Sequence, residues 1–308
     1  MIEKGFQTLL DMLAKVGNVP PGSMDEQRNA FKKLCAITDG SGPAHIATCE
    51  VVIPTQDGAC GARLYTPKDA PPIGPGLLYF HGGGYVLGDL ETHDALCRRL
   101  ADQAHIKVLA VDYRLAPEHK FPAGHNDALD AAFWLRAHGR KVGIDSAHFA
   151  IGGDSAGGNL AAATAVALRD AGGVQPLLQV LLYPGFDPSG TESFSAFSTG
   201  YFLTAQAIAD FTRHLGIREN DPQSVRVAPD VFAKLEGLPP AFVATGGLDP
   251  LRDSGQRYAR KLRDAGVTVE YRDYPGFIHG FYTMANISAG AANAIGNLAS
   301  ALRAALGT

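Results

Sequence analysis

The chain carries little that would tie it to metal, nucleic acid or lipid. Its four cysteines, Cys35, Cys49, Cys60 and Cys97, are widely spaced and form no Cys-x-x-Cys pair, which removes the common zinc and dithiol arrangements. They read as free thiols serving as small buried hydrophobes, although Cys49 and Cys60 flank a hairpin signal. No run of about 18 consecutive apolar residues occurs, so no membrane-spanning helix is expected. Glu3, Lys4, Asp11 and Lys15 interrupt the N-terminal stretch, which therefore lacks the apolar core of a signal peptide, and a cytoplasmic location is the expectation. Nor is there a surplus of positive charge. The 27 Lys and Arg face 31 Asp and Glu, giving a formal charge of −4, which offers no attraction to nucleic acid or to an anionic membrane. Missing too are Gly-Lys pairs and Gly-x-Gly-x-x-Gly, so phosphate-cradling and dinucleotide fingerprints are absent. Ser-x-x-Lys and His-Glu-x-x-His do not occur, and the His119/His125 spacing fits no common metal site. The expectation is an enzyme-sized chain with no metal and no cofactor.

What is present is globular. Apolar residues make up 46% and charged residues 19% of 308, and a chain of this length can bury roughly 75% of its unfolded surface. Phe6, Leu9, Leu10, Leu13 and Val16 fall on one helical face, ended by Pro20, Pro21 and Gly22. Met24, Phe31, Leu34 and Cys35 suggest a second helix. Thr48 to Ile53 and Gly61 to Thr66 then read as strands around a Gln56-Asp57-Gly58 turn. Beyond them, strand-like runs (77–80, 107–112, 148–151, 178–183, 241–245, 267–274) alternate with helical patterns (95–103, 126–137, 156–170, 255–265). That alternation predicts an α/β fold, a mostly parallel sheet with helices on both faces. Two excursions have no place in it. Residues 1–45 are helical, and residues 185–237 form an aromatic-bearing insertion in a main domain of residues 46–308. In an α/β sheet, inserted segments beyond the carboxyl ends of the strands can roof a site, so both are expected to form a cap.

The chemistry is carried by a few motifs. Gly153-Asp154-Ser155-Ala156-Gly157 has the Gly-x-Ser-x-Gly form, with a strand running in and an alanine-rich helix running out. A turn that sharp strains the backbone of Ser155 and lifts its hydroxyl clear of the sheet, beside the positive end of a helix. The bland reading is an N-cap serine. His81-Gly82-Gly83-Gly84 follows another strand. Consecutive glycines leave backbone N–H groups open to a substrate oxygen, so Gly83 and Gly84, with Ala156, are candidates to bind the oxyanion of a tetrahedral intermediate. The bland reading is a flexible loop. His81 and Gly82 are expected to order that loop rather than to move protons.

A serine nucleophile needs a base, and the base needs an orienting acid. In the chain order Ser, acid, His that this kind of fold uses, only His214 and His279 remain after Ser155. His279 lies just past the last strand between Gly276 and Gly280, and is the candidate base; His214 sits on a helix inside the insertion. The acid should follow the preceding strand. Gly246-Gly247-Leu248-Asp249-Pro250 reads as the loop there, which makes Asp249 the candidate. Asp253, expected in the first turn of the next helix, is its rival. Phe186, Phe194, Phe197, Tyr201, Phe202 and Phe211 could wall an acyl pocket or equally pack the insertion's own core.

These passages together resemble the bacterial hormone-sensitive-lipase-like carboxylesterases, family IV of the α/β-hydrolase fold. The resemblance rests on residues 81–93, beginning His-Gly-Gly-Gly, on Asp112-Tyr-Arg-Leu-Ala-Pro-Glu118, on Gly152-Gly-Asp-Ser-Ala-Gly-Gly158 and on Asp249-Pro-Leu-Arg-Asp253. It extends from about Leu77 to the C-terminus and takes in the helical N-terminus. Asp154 is similar to the subgroup whose serine turn reads Gly-Asp-Ser-Ala-Gly. The resemblance implies hydrolysis of short and medium acyl esters without a cofactor, with Ser155, Asp249 and His279 as triad and Gly83, Gly84 and Ala156 as oxyanion hole. Tyr85 stands where the family usually has an aromatic; with Phe186, Tyr201, Phe202 and Phe281 it is expected at the substrate pocket. The expected partner is a small-molecule ester, with no nucleic acid and no stable membrane anchoring, and a homodimer stays open. An amidase or deacetylase on the same residues is the alternative, and a ligand receptor on the same scaffold is disfavoured because His279 is present.

Overall fold

The computed structural model describes residues 1–16, 22–218 and 226–308. Before the sheet come two helices, α1 (Lys4–Val16) and α2 (Met24–Thr38). The second starts at a capping box, in which Ser23 accepts from the Glu26 N–H while the Glu26 carboxylate accepts from the Ser23 N–H. Pro20 and Pro21, expected to end the first helix, lie outside the described residues, as does 219–225 of the insertion.

Eight strands follow in one sheet: β1 (Ala47–Thr55), β2 (Gly58–Thr66), β3 (Gly74–Phe80), β4 (Lys107–Asp112), β5 (Ile144–Asp154), β6 (Leu178–Leu182), β7 (Ala241–Leu248) and β8 (Val269–Ile278). Their order is β1-β2-β4-β3-β5-β6-β7-β8. The β1–β2 hairpin and the β2–β4 pair are antiparallel, and every later pairing is parallel. The parallel part needs crossovers, and these are α3 (Asp94–Ala104), α4 (Ala123–His138), α5 (Ala156–Asp170) and α9 (Arg252–Asp264), with α10 (Ala289–Leu306) closing the chain. Between β6 and β7 lie α6 (Glu192–Phe197), α7 (Ala205–Leu215) and the single turn α8 (Pro229–Phe232).

The sheet's two faces bury separate cores, because successive side chains point to opposite sides. On β3, Leu77 and Tyr79 join a core with α1, α3 and α10, while Leu78 and Phe80 join one with α4, α5 and α9. Fully burying each such side chain contributes about 1.5–3 kcal/mol before the entropy of ordering is set against it. Within the N-terminal segment, α1 packs Phe6 edge-on against Phe277, with ring centres 5.2 Å apart. Two expectations need correction. Cys49 is exposed rather than buried, because it lies on the edge strand β1; all four thiols are free. Gly246 to Leu248 is strand rather than loop: after Gly246 pairs with Tyr274 the register shifts, and Leu248 pairs with Ile278. This irregular extension carries β7 directly up to Asp249.

Candidate active site

The carboxyl ends of β5, β7 and β8 converge on one line of hydrogen bonds. At the tip of β5, Ser155 adopts φ 52°, ψ −118°, a conformation that costs an L-residue of order 1–3 kcal/mol. The turn is clamped from both sides: the Ser155 N–H donates to Leu182 O and the Gly185 N–H donates to Ser155 O, each at 2.8 Å. Helix α5 can pass this close to β3 only because position 157 is glycine. A Cβ there would stand 1.9 Å from the Phe80 carbonyl oxygen.

His279 follows β8 directly. Its Nε2 lies 2.9 Å from Ser155 Oγ and its Nδ1 lies 2.7 Å from Asp249 Oδ2. Asp249 is fully buried, and its other oxygen accepts from the Leu251 N–H at 2.7 Å, which fixes the carboxylate plane. With Nδ1–H donating to the carboxylate, Nε2 is left as an acceptor facing the serine hydroxyl. The Tyr183 ring packs against the imidazole at 4.8 Å between centres. The rival acid is engaged elsewhere: Asp253, in the first turn of α9, accepts from the Ser193 N–H and pairs with Arg252, both at 2.8 Å. His214 sits in the last turn of α7.

The glycine loop lies on the opposite side of Ser155. The Gly83 carbonyl accepts from the N–H groups of Val86 and Leu87, while the Gly83 and Gly84 N–H groups donate no hydrogen bond among the described residues. The Ala156 N–H belongs to the first turn of α5, where no intrahelical partner exists. Gly84 has φ +62°, and a Cβ on it would meet the Phe211 ring at 2.2 Å. His81 is buried; its Nδ1 is 2.8 Å from Gly82 O, and its ring stacks on Tyr113 at 4.3 Å. Burial, then the neighbouring charge of His93, pulls His81 down to about 4, so it is neutral near pH 7.

Two cavities meet at Ser155. One of about 200 Å³ is floored by Gly82 to Gly84, Ser155 and His279 and roofed by Phe31 and Leu34 of α2 with Phe202 and Phe211. The other, of about 470 Å³, runs from Ser155 and Ala156 past Tyr85, Phe186, Phe194 and Ile208. Phe211 and Leu203 border both. Of the expected pocket aromatics, Tyr85, Phe186 and Phe202 line these cavities. Tyr201 and Phe281 line neither: Tyr201 packs edge-on against Phe197, and Phe281 is buried behind Tyr183. The sequence reading missed the α2 wall, Phe31 and Leu34, and the floor residues Asp154 and His93. An amphipathic helix shows in sequence which face is apolar, not what that face covers. Among the described residues no cluster of His, Cys, Asp and Glu could hold a metal, and no helix is long and apolar enough to cross a membrane.

A serine on a strained strand-to-helix turn, a carboxylate-held histidine beside it and an open row of N–H groups opposite define a serine hydrolase of the α/β-hydrolase fold. The sequence profile of the α/β-hydrolase fold matches residues 77–283. The chain is 43% identical over 286 residues to the carboxylic ester hydrolase LipN of Mycobacterium tuberculosis, covering 91% of this chain and 76% of that one. It is 38% identical over 270 residues to an ethyl acetate hydrolase of Pseudomonas putida, covering 85% and 84%. Among solved structures, an ester hydrolase from the metagenome of Lake Arreo, complexed with a bipyridine phosphonate derivative, superimposes with a TM-score of 0.95 at 37% identity over 100% of both chains. A hyperthermophilic esterase from Pyrobaculum calidifontis does so at 0.93 and 39% over 98% of each. The chain belongs to the hormone-sensitive-lipase-like branch, family IV, of the α/β hydrolases.

Proposed function

We propose that this chain hydrolyses small carboxylic esters with short to medium acyl chains, through an acyl-enzyme on Ser155. The carrying observation is the unbroken line from Asp249 through His279 to Ser155 Oγ, at 2.7 and 2.9 Å. His279 takes the serine proton as Oγ attacks the ester carbonyl. Negative charge then moves onto the carbonyl oxygen, where the N–H groups of Gly83, Gly84 and Ala156 receive it. As the tetrahedral intermediate collapses, the C–O bond to the alcohol breaks and His279 returns its proton to the leaving oxygen. Water repeats the sequence on the acyl-enzyme and releases the acid. Asp249 fixes the imidazole tautomer and stabilises the imidazolium.

The leaving oxygen must reach His279, which borders only the smaller cavity, so the alcohol portion belongs there and the acyl chain in the larger, apolar one. Segments 1–45 and 185–237 serve as the cap, with α2, Phe202 and α7 roofing the smaller cavity over Ser155. Asp154 supports membership of the subgroup with a Gly-Asp-Ser-Ala-Gly turn. The reading matches relatives that are themselves named esterases. Rates on 4-nitrophenyl esters of graded acyl length test it. Each methylene buried adds about 0.8 kcal/mol until the cavity is full, so activity should rise from acetate to butyrate or hexanoate and then decline. A rate still climbing at dodecanoate, or no ester hydrolysis at all, contradicts it.

A further inference from the structure

Asp154, one residue before the serine, lies beneath the glycine loop. Its Oδ1 accepts from the Tyr79 hydroxyl at 2.8 Å and the Gly82 N–H at 2.9 Å, and it lies 3.1 Å from His93 Nε2, toward which the same Gly82 N–H also points at 3.4 Å. Asp154 is 4% and His93 2% exposed, so both are cut off from bulk water, yet both border the floor of the smaller cavity. On the far side of the His93 ring, Nδ1 is 2.9 Å from Thr92 Oγ1. Thr92 Oγ1 also accepts from the Asp89 N–H at 2.9 Å and lies 2.8 Å from Asp89 O, which anchors this side of the ring. The Nε2 edge of the ring faces a buried carboxylate, which favours the imidazolium form. The electrostatics agree in direction. Burial opposes charge on each group, but their mutual attraction, helped by Asp39 and Asp89 near His93 and by the Tyr79 hydroxyl on Asp154, outweighs it, raising His93 and lowering Asp154 from their ordinary values.

A lone carboxylate at this position would be costly twice over. It would be a buried unpaired charge, and it would repel the oxyanion that forms a few bonds away. Paired with His93 it does neither, and it remains free to hold the Gly82 N–H, the residue on which the Gly83 and Gly84 N–H groups turn. We propose that Asp154 and His93 form a buried ion pair that positions the oxyanion loop, acting through Gly82 and coupling the loop to the serine turn. Both act through Gly82 rather than on the reacting atoms; they are positioning residues. The proposal rests on the oxyanion-hole reading of Gly83 and Gly84.

The test compares the wild type with Asp154→Asn, His93→Gln and the double variant, on 4-nitrophenyl butyrate, with active sites counted by the extent of fluorophosphonate labelling. Misplacing an oxyanion donor costs on the order of 10²–10³ in kcat, so each single variant should lose about 10²-fold in kcat per labelled site, with KM within about threefold. Affinity for a trifluoromethyl ketone, which forms an oxyanion with Ser155, should fall in parallel. Because the two residues act as one pair, the double variant should be no worse than the worse single. Thr92→Val, which removes the oxygen beside Nδ1 together with its bonds to the Asp89 backbone, repeats the comparison without altering Asp154 or His93 should the buried variants not fold. An unchanged kcat per labelled site in the folded variants, whatever their melting temperature, overturns the proposal; so do losses that multiply in the double variant. Failure of the functional reading itself would look different, since the wild type would then not hydrolyse the ester.

Discussion

The floor and the roof of this site are built by opposite means. The floor, made of the serine turn and the glycine loop, is held almost atom by atom: Ser155 N–H to Leu182, Gly185 N–H to Ser155, Gly82 N–H to Asp154, His279 to Asp249. The roof, made of α2, Phe202 and α7, meets the cavities mainly through Phe31, Leu34, Phe202, Leu203 and Phe211, side chains with no polar atoms to direct, with Thr38 at its edge bonded to Thr283 O. Hydrogen bonds are directional and fix positions to fractions of an ångström, whereas apolar contacts fix only volume. Changes in the floor should therefore strike turnover, and changes in the roof should strike which substrate fits.

The largest effect should come from Ser155, the proposed nucleophile. Ser155→Ala should lower kcat on the order of 10⁶-fold while leaving thermal melting near that of the wild type, as measured by single-turnover assays and calorimetry. Asp249→Asn comes next: it leaves the imidazole in the wrong tautomer and should lose on the order of 10⁴ in kcat. Asp253→Asn, whose bonds run to Ser193 and Arg252, should stay within about tenfold; the reverse ranking would reassign the acid. Gly84→Ala sits where floor and roof touch, and should both lose about 10²-fold in kcat and displace Phe211, visible as a changed acyl profile. By contrast, Phe211→Ala should leave kcat on acetate within a few fold while moving the chain-length optimum upward by at least two carbons. If it cuts turnover uniformly across the series instead, the roof does more than fill space.

The smallest effect is on stability. His125 and His81 are buried and neutral; burial first, with the charge of Arg226 for one and His93 for the other, draws them down to about 3 and about 4. Their values in the unfolded chain are higher, near about 6.5, so as pH falls the unfolded state takes up these protons first. The stability they contribute is full above about pH 6.5 and is lost as pH falls toward 4. His125→Gln should flatten the decline in melting temperature between pH 7 and 5, and an unchanged slope would remove His125 from this account.

The same contrast explains what could be read from the sequence. Alternation of short apolar runs with helical patterns points to β3 to β8 and the crossover helices, because a strand between two covered faces must be apolar on both sides, while β1 and β2 show through the hairpin turn between them. Ser155, the glycine loop, Asp249 and His279 stood out since their chemistry demands particular residue types at strand ends. The run before Asp249 reads as loop in the sequence and is strand in the structure, because the extra strand residues depend on pairing with β8, which no local pattern reveals. Phe31, Leu34 and Phe211 carry no comparable signal. An aromatic or leucine at helical spacing looks the same whether it covers a core or a substrate. Tyr201 and Phe281 were expected at the pocket for that reason and lie beside other aromatics instead.

The most direct measurement follows the acyl group itself. The enzyme is mixed with 4-nitrophenyl butyrate, quenched with acid within milliseconds, digested and examined by mass spectrometry. The account predicts a butyryl adduct on the peptide containing Ser155, accumulating further in Asp249→Asn if deacylation slows, and absent from Ser155→Ala. A butyryl group on any other residue at full occupancy, or undiminished turnover by Ser155→Ala, would contradict it.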